Sequence, residues 1–136
     1  MSTILPKCIA LLTYKGKVLL LSKHNKPDVP SYNPWQFIEK EKSSQSSEVD
    51  TIIREVLKET KLKLTELMPI PTDSLPETPE YVFHAQLTDL NVNTIQRGDE
   101  SLLQFYSLSE LQKLNLQEST KRIFTKYKST LELLMN

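Results

Sequence analysis

Glycine is scarce in this chain. Only Gly16 and Gly98 occur in 136 residues, where ordinary usage of ~7% would give about ten. A glycine-built loop that cradles phosphate is therefore poorly supplied, and neither a P-loop nor a dinucleotide-binding fingerprint is present. Cys8 stands alone, which excludes an internal disulfide and a cysteine-based zinc cluster. Its neighbours Ile9 to Leu12 mark it as a buried strand thiol. An excess of either charge is also missing, with 17 Lys and Arg against 17 Asp and Glu. That balance leaves no electrostatic footprint for a nucleic-acid polymer or an anionic membrane surface. No apolar run approaches the ~20 residues of a membrane span. The N-terminal run is too short for a signal peptide and is broken by Tyr14, Lys15 and Gly16. The expectation is a cytoplasmic protein of one domain over residues 1–136, long enough to bury a core without disulfides. A small phosphate-bearing molecule remains open as a partner, because a local pocket needs no net charge.

Two continuous apolar stretches stand out near the N-terminus. Lys7 to Tyr14 and Lys17 to Lys23 read as strands joined at Lys15-Gly16, and their unbroken apolar character predicts a sheet covered on both faces. His24 to Pro34 is a proline-punctuated loop, and Trp35 to Ile38 resumes as a short strand. Glu39 to Ser47 reads as a polar linker, closed by Ser47 and Asp50 as a capping box for a helix from about Glu48 to Lys61. Val49, Ile53, Val56 and Leu57 form its expected apolar face. Leu62 to Met68 reads as a strand, and Pro69 to Pro79 as a loop with four prolines. Tyr81 to Leu87 and Leu102 to Leu108 are strand-like, with polar sequence around Gly98 between them. A short helical turn follows at Ser109 to Leu114, opened by Ser109 as cap. A last helix from about Gln117 to Leu134 should bury Ile123, Phe124, Tyr127, Leu131 and Leu134. Its basic residues Lys121, Arg122, Lys126 and Lys128 read as a solvated face. Sheet edges and this helix offer surfaces for a homodimer.

The segment that carries chemistry is Arg54-Glu55-Val56-Leu57-Lys58-Glu59. On a helix Glu55 and Glu59 project about 40° apart, with Glu48 nearly in line two turns earlier. A row of acids can hold Mg²⁺ or Mn²⁺, whose remaining coordination positions go to water and phosphate. Such a metal orients a diphosphate and lowers the pKa of an attacking water. Arg54 could steer a glutamate by a charge-assisted hydrogen bond. Alone the pattern is weak, since acids and bases at this spacing decorate most exposed helices.

The order of hairpin, Trp-x-Phe strand, polar loop, Arg-Glu helix and further strands resembles the Nudix (MutT-like) hydrolases. The resemblance implies an α/β/α sandwich with a mixed sheet between helices, and Mg²⁺-dependent cleavage of nucleoside diphosphates linked to another moiety. The family's box reads Gly-x5-Glu-x7-Arg-Glu-U-x-Glu-Glu-x-Gly-U, where U is a bulky aliphatic residue. Arg54, Glu55, Val56, Glu59 and Leu62 match it. Lys40, Ser46, Lys58 and Lys61 stand where the box has glycine, glutamate, glutamate and glycine. The segment Phe105 to Leu111 also resembles the family's aromatic strand and short helix.

The resemblance implies Glu55 and Glu59 as metal ligands and catalytic residues with Arg54. Glu48 or Glu41 would assist, and Glu100 or Asp99 would supply a base from a later loop. Lys58 removes one carboxylate and adds a positive charge. At ~5 Å and an effective dielectric of about 20, one unit charge costs about 3 kcal/mol, and a dication doubles it. Glu39 and Lys40 replace loop residues that approach a ligand through their backbone; both could still turn their carbonyls to a metal. Lys58 has two readings, a fixed cation for a bound phosphate or an ordinary surface pair with Glu55. Tyr32 is a candidate to stack on a base, while Trp35 and Phe83 read as core. His24 and His84, far apart, read as structural. Two functions follow: a divergent hydrolase of nucleoside-diphosphate derivatives, or an inactive Nudix-fold protein that binds a nucleotide-like ligand or a protein partner.

Overall fold

The computed structural model describes residues 5–23, 34–71, 79–96 and 101–135. Strands β1 (Lys7–Tyr14) and β2 (Lys17–Lys23) form the expected hairpin. Lys15 (φ 47°) and Gly16 (φ 77°) make its two-residue turn, a left-handed pair that matches the twist of the flanking strands. The two strands stay paired only near that turn, at Thr13 with Val18 and Tyr14 with Lys17. Beyond it they part, and one segment fills the gap. β3 (Trp35–Gln36) pairs antiparallel with β2, whereas β4 (Ile38–Glu41) pairs antiparallel with β1. Phe37 lies at the crossing, wholly buried, its N–H donating to Thr120 Oγ1 at 3.0 Å.

Further strands extend the sheet on both sides. β6 (Glu80–Gln86) runs parallel to β1 along its other edge, and β5 (Met68–Ile70) flanks β6. β7 (Ser101–Tyr106) pairs along β2. The architecture is a mixed sheet between helices, as the sequence implied. α1 (Glu48–Thr60) covers one face, where Ile52 and Val56 meet Cys8, Ala10, Leu12, Ile38 and Phe83. α4 (Glu118–Lys126) and α5 (Lys128–Leu134) cover the other, where Ile123, Phe124 and Leu131 meet Ile9, Leu11, Leu20 and Phe37. Alternate residues of β1 and β2 thus enter opposite cores, which is why both strands read as continuous apolar runs.

Several boundaries differ from the sequence reading, each for a local reason. Glu39–Glu41 belong to β4 because Lys7, Cys8 and Ile9 of β1 supply backbone partners for that polar stretch. Residues 62–67 form no strand; β5 begins at Met68 and tolerates Pro69 because only β6 flanks it. Between β6 and β7 lies α2 (Asp89–Thr94), opened by reciprocal bonds between Thr88 and Asn91. α3 (Leu108–Leu111) is capped by Ser107 rather than Ser109, with Glu110 closing the box. The last helix breaks at Tyr127, and Met135 rather than Leu134 reaches the core.

α1 itself is rotated from its expected face. Thr51, Ile52, Glu55, Val56 and Thr60 are buried, while Val49 is exposed and Ile53 and Leu57 are half-buried. The polar members are accommodated because Thr51 and Thr60 donate to the carbonyls of Ser47 (2.8 Å) and Val56 (2.7 Å). Ser47 caps the helix by accepting from Asp50 N–H at 3.1 Å. At the other end Lys61 adopts the left-handed conformation, φ 68° and ψ 10°, and its N–H bonds Leu57 O. This is the backbone for which helices ordinarily use glycine. Lys61→Gly should therefore stabilise the protein by about 1 kcal/mol and raise Tm by about 4 °C. Thermal denaturation followed by circular dichroism checks this; an unchanged or lower Tm would contradict the strain.

Candidate functional site

The split between β1 and β2 places β4 beside α1, and a cleft of about 270 Å³ opens between them. Lys40, Glu41, Ser43 and Ser46 line it from β4 and the turn after it, and Thr51, Arg54, Glu55 and Lys58 from the helix. The alternation of β4 explains its contribution. Ile38 enters the core beneath α1, so Lys40, two residues on, shares that face.

Glu55 is only 7% exposed, so it lies beneath the cleft rather than at the rim of the helix face. Lys58 and Lys40 are exposed. The spacing suggested that Arg54 would steer a glutamate. Instead its Nη2 donates to Ser46 Oγ and its Nε to Asp50 O at 3.4 Å. The contact ties the turn after β4 to α1 through a neutral acceptor. Lys58 and Glu55 form no ion pair among the described residues, whose recorded pairs are Lys7–Glu39, Lys15–Asp89 and Arg122–Glu80. Glu59 is half-buried and does not line the cleft.

Glu39 is on the other face of β4. It pairs with Lys7 at 3.4 Å and accepts from Ser119 Oγ at 3.2 Å, next to α4. Sequence reasoning considered the backbone carbonyls of Glu39 and Lys40; the period of two from Ile38 shows that the Lys40 side chain is the one on the α1 side. Tyr32, His24, Asp99 and Glu100 lie outside the described residues. Trp35 is half-buried, edge-on to Tyr106 at 5.1 Å, and Phe83 is in the core. Cys8 is buried, and burial with the charge of Glu48 pushes its thiol up to about 11, far from reactivity.

No family model matches the sequence, and no curated protein is similar to it in sequence. Solved structures do match. A mutT/nudix family protein from Listeria innocua aligns over 100% of both chains, with a TM-score of 0.72 at 17% identity. The NUDIX domain of Shewanella oneidensis NrtR, solved with ADP ribose, aligns over 96% of this chain and 90% of its own. Its TM-score is 0.64 at 12% identity. A bifunctional NMN adenylyltransferase/ADP ribose pyrophosphatase from Francisella tularensis, solved with AMP and a Mn ion, covers 96% of this chain and 43% of its own. Here the TM-score is 0.65 at 17% identity. The protein has the Nudix fold. At these identities the likeness is one of architecture.

The residues around the cleft do not fit a divalent metal. Mg²⁺ and Mn²⁺ call for several oxygen donors, and the described residues bring together no group of three or more His, Cys, Asp or Glu in metal-binding proximity. Glu55 and Glu41 are the acids of the cleft, set among Lys40, Arg54 and Lys58. The cleft is suited to hold an anion. A larger cleft of about 680 Å³ lies between residues 63–68, the end of β6 and α2. It contains His84, whose Nε2 is 2.7 Å from Thr13 Oγ1.

Burial holds His84 below its ordinary 6.5. The folded protein thus takes up this proton less readily than the unfolded chain. The resulting stability is present above pH 6.5 and is lost as pH falls toward the folded pKa. Urea midpoints at pH 7 and pH 5 should show a larger loss for wild type than for His84→Gln. An equal loss would place the effect elsewhere.

Proposed function

We propose that this protein binds a phosphate-bearing, nucleotide-like ligand in the cleft between β4 and α1 and lacks an efficient metal-dependent hydrolytic centre. One observation carries this reading: Lys40, Arg54 and Lys58 open onto the same small cleft. Guanidinium and ammonium groups recognise phosphate by charge-assisted hydrogen bonds. Arg54 is oriented by Ser46 and the Asp50 carbonyl, which reduces the ordering cost of binding. A cleft of about 270 Å³ suits the phosphate portion; drug-sized ligands occupy roughly 300–1,000 Å³. The ADP ribose in the NrtR domain supports the choice of a nucleotide derivative.

A second reading rests on Glu55. It is buried at the matching box position, with Glu59 one turn on, so a divergent Mg²⁺-dependent pyrophosphohydrolase would use this pair, aided by Glu100. Either way we place the protein in the cytoplasm as one Nudix-like domain over residues 1–136, acting on a small molecule rather than a nucleic-acid polymer or a membrane. Balanced charge and a lone cysteine support this. The outer strands β5 and β7 are where we place a homodimer contact.

The readings separate in one panel of ADP ribose, dinucleoside polyphosphates and nucleoside triphosphates. The binding reading predicts a rise in Tm with at least one ligand, reduced in Arg54→Ala, and no cleavage to nucleoside monophosphates with Mg²⁺ or Mn²⁺. Turnover that disappears in Glu55→Gln and Glu59→Gln would establish the hydrolase instead.

A further inference from the structure

We infer that Lys58 and Lys40 replace the divalent cation, so that the cleft holds the diphosphate of its ligand without metal. This rests on the reading of the cleft as a phosphate site and specifies how that site works. Lys58 stands at the position where the resemblance puts a metal-binding carboxylate, and it lines the cleft with Arg54 and Glu55. Lys40 enters from the facing strand. Neither lysine has an ion-pair partner among the described residues.

Glu55 has a place in this arrangement. A phosphate set directly against a buried carboxylate would be repelled, and in a metal site the cation separates the two. Lysines that line the same cleft as Glu55 would, on binding phosphate, restore the same order of charge, carboxylate, cation, phosphate, with unit charges in place of a dication. The lining continues past the cleft. Lys40, Glu41 and Ser43 also border a neighbouring hollow of about 540 Å³ that contains Lys23 and Lys42. The rest of a ligand anchored by its diphosphate has room there.

Calorimetric titration with inorganic pyrophosphate, in EDTA and in excess Mg²⁺, tests the inference. Binding should be present in EDTA and no tighter in Mg²⁺, because the metal complexes the free ligand. Lys58→Ala and Lys40→Ala should each weaken it by about tenfold at unchanged Tm, as expected for losing a charge-assisted contact. Lys58→Glu should abolish binding in EDTA. Pyrophosphate that binds only with Mg²⁺, or equally well to Lys58→Ala, would overturn the inference and leave the phosphate-site reading standing. Failure of pyrophosphate and of the whole nucleotide panel to bind, with or without metal, would overturn both.

Discussion

The cleft depends on one backbone arrangement: β1 and β2 separate after a short shared hairpin, and the segment 35–41 changes partners in the gap. Trp35 and Gln36 bond to β2, and Ile38 to Glu41 bond to β1. Phe37, buried at the switch and tied to Thr120, fixes where the change occurs. Its position decides which side chains of β4 face α1. A one-residue slip would exchange Lys40 for Glu39 and reverse the sign of charge offered to the helix.

Charge is where this chain departs from a metal-dependent site. The Ser46–Arg54 contact and buried Glu55 shape the helix side of the cleft. Its electrostatics are set by Lys40, Arg54 and Lys58, which line the cleft against Glu41 and Glu55. The left-handed Lys61 carries a small strain, since a non-glycine residue there costs on the order of 1–2 kcal/mol, within what a domain of this size can absorb. An added cation beside a metal would cost more and would act on function directly.

Much of the fold was legible in the sequence. Continuous apolar β1 and β2 announced a sheet covered on both faces, and Ser47 announced the start of α1. The elements that were missed are held by short-range polar bonds or distant partners. Thr88 and Asn91 open α2 without an apolar period. Glu39 to Glu41 become a strand only because β1 is exposed beside them. Glu55 was expected at the helix edge because hydrophobicity alone set the face; Thr51 and Thr60 satisfy their hydroxyls on the helix backbone and so share the buried side. The lysine at position 58 was visible as a departure. Its company, Lys40 across the cleft, follows from strand alternation once β4 is known.

The central claim is that Lys40, Arg54 and Lys58 make this cleft an anion site rather than a metal site. Titration of the wild-type protein with Mn²⁺, following the free ion by electron paramagnetic resonance, tests it most directly. The account predicts no saturable Mn²⁺ site dependent on Glu55, and the appearance of one in Lys58→Glu combined with Ser46→Glu and Lys40→Gly. Tight, saturable Mn²⁺ binding by the wild type that is lost in Glu55→Gln would contradict it.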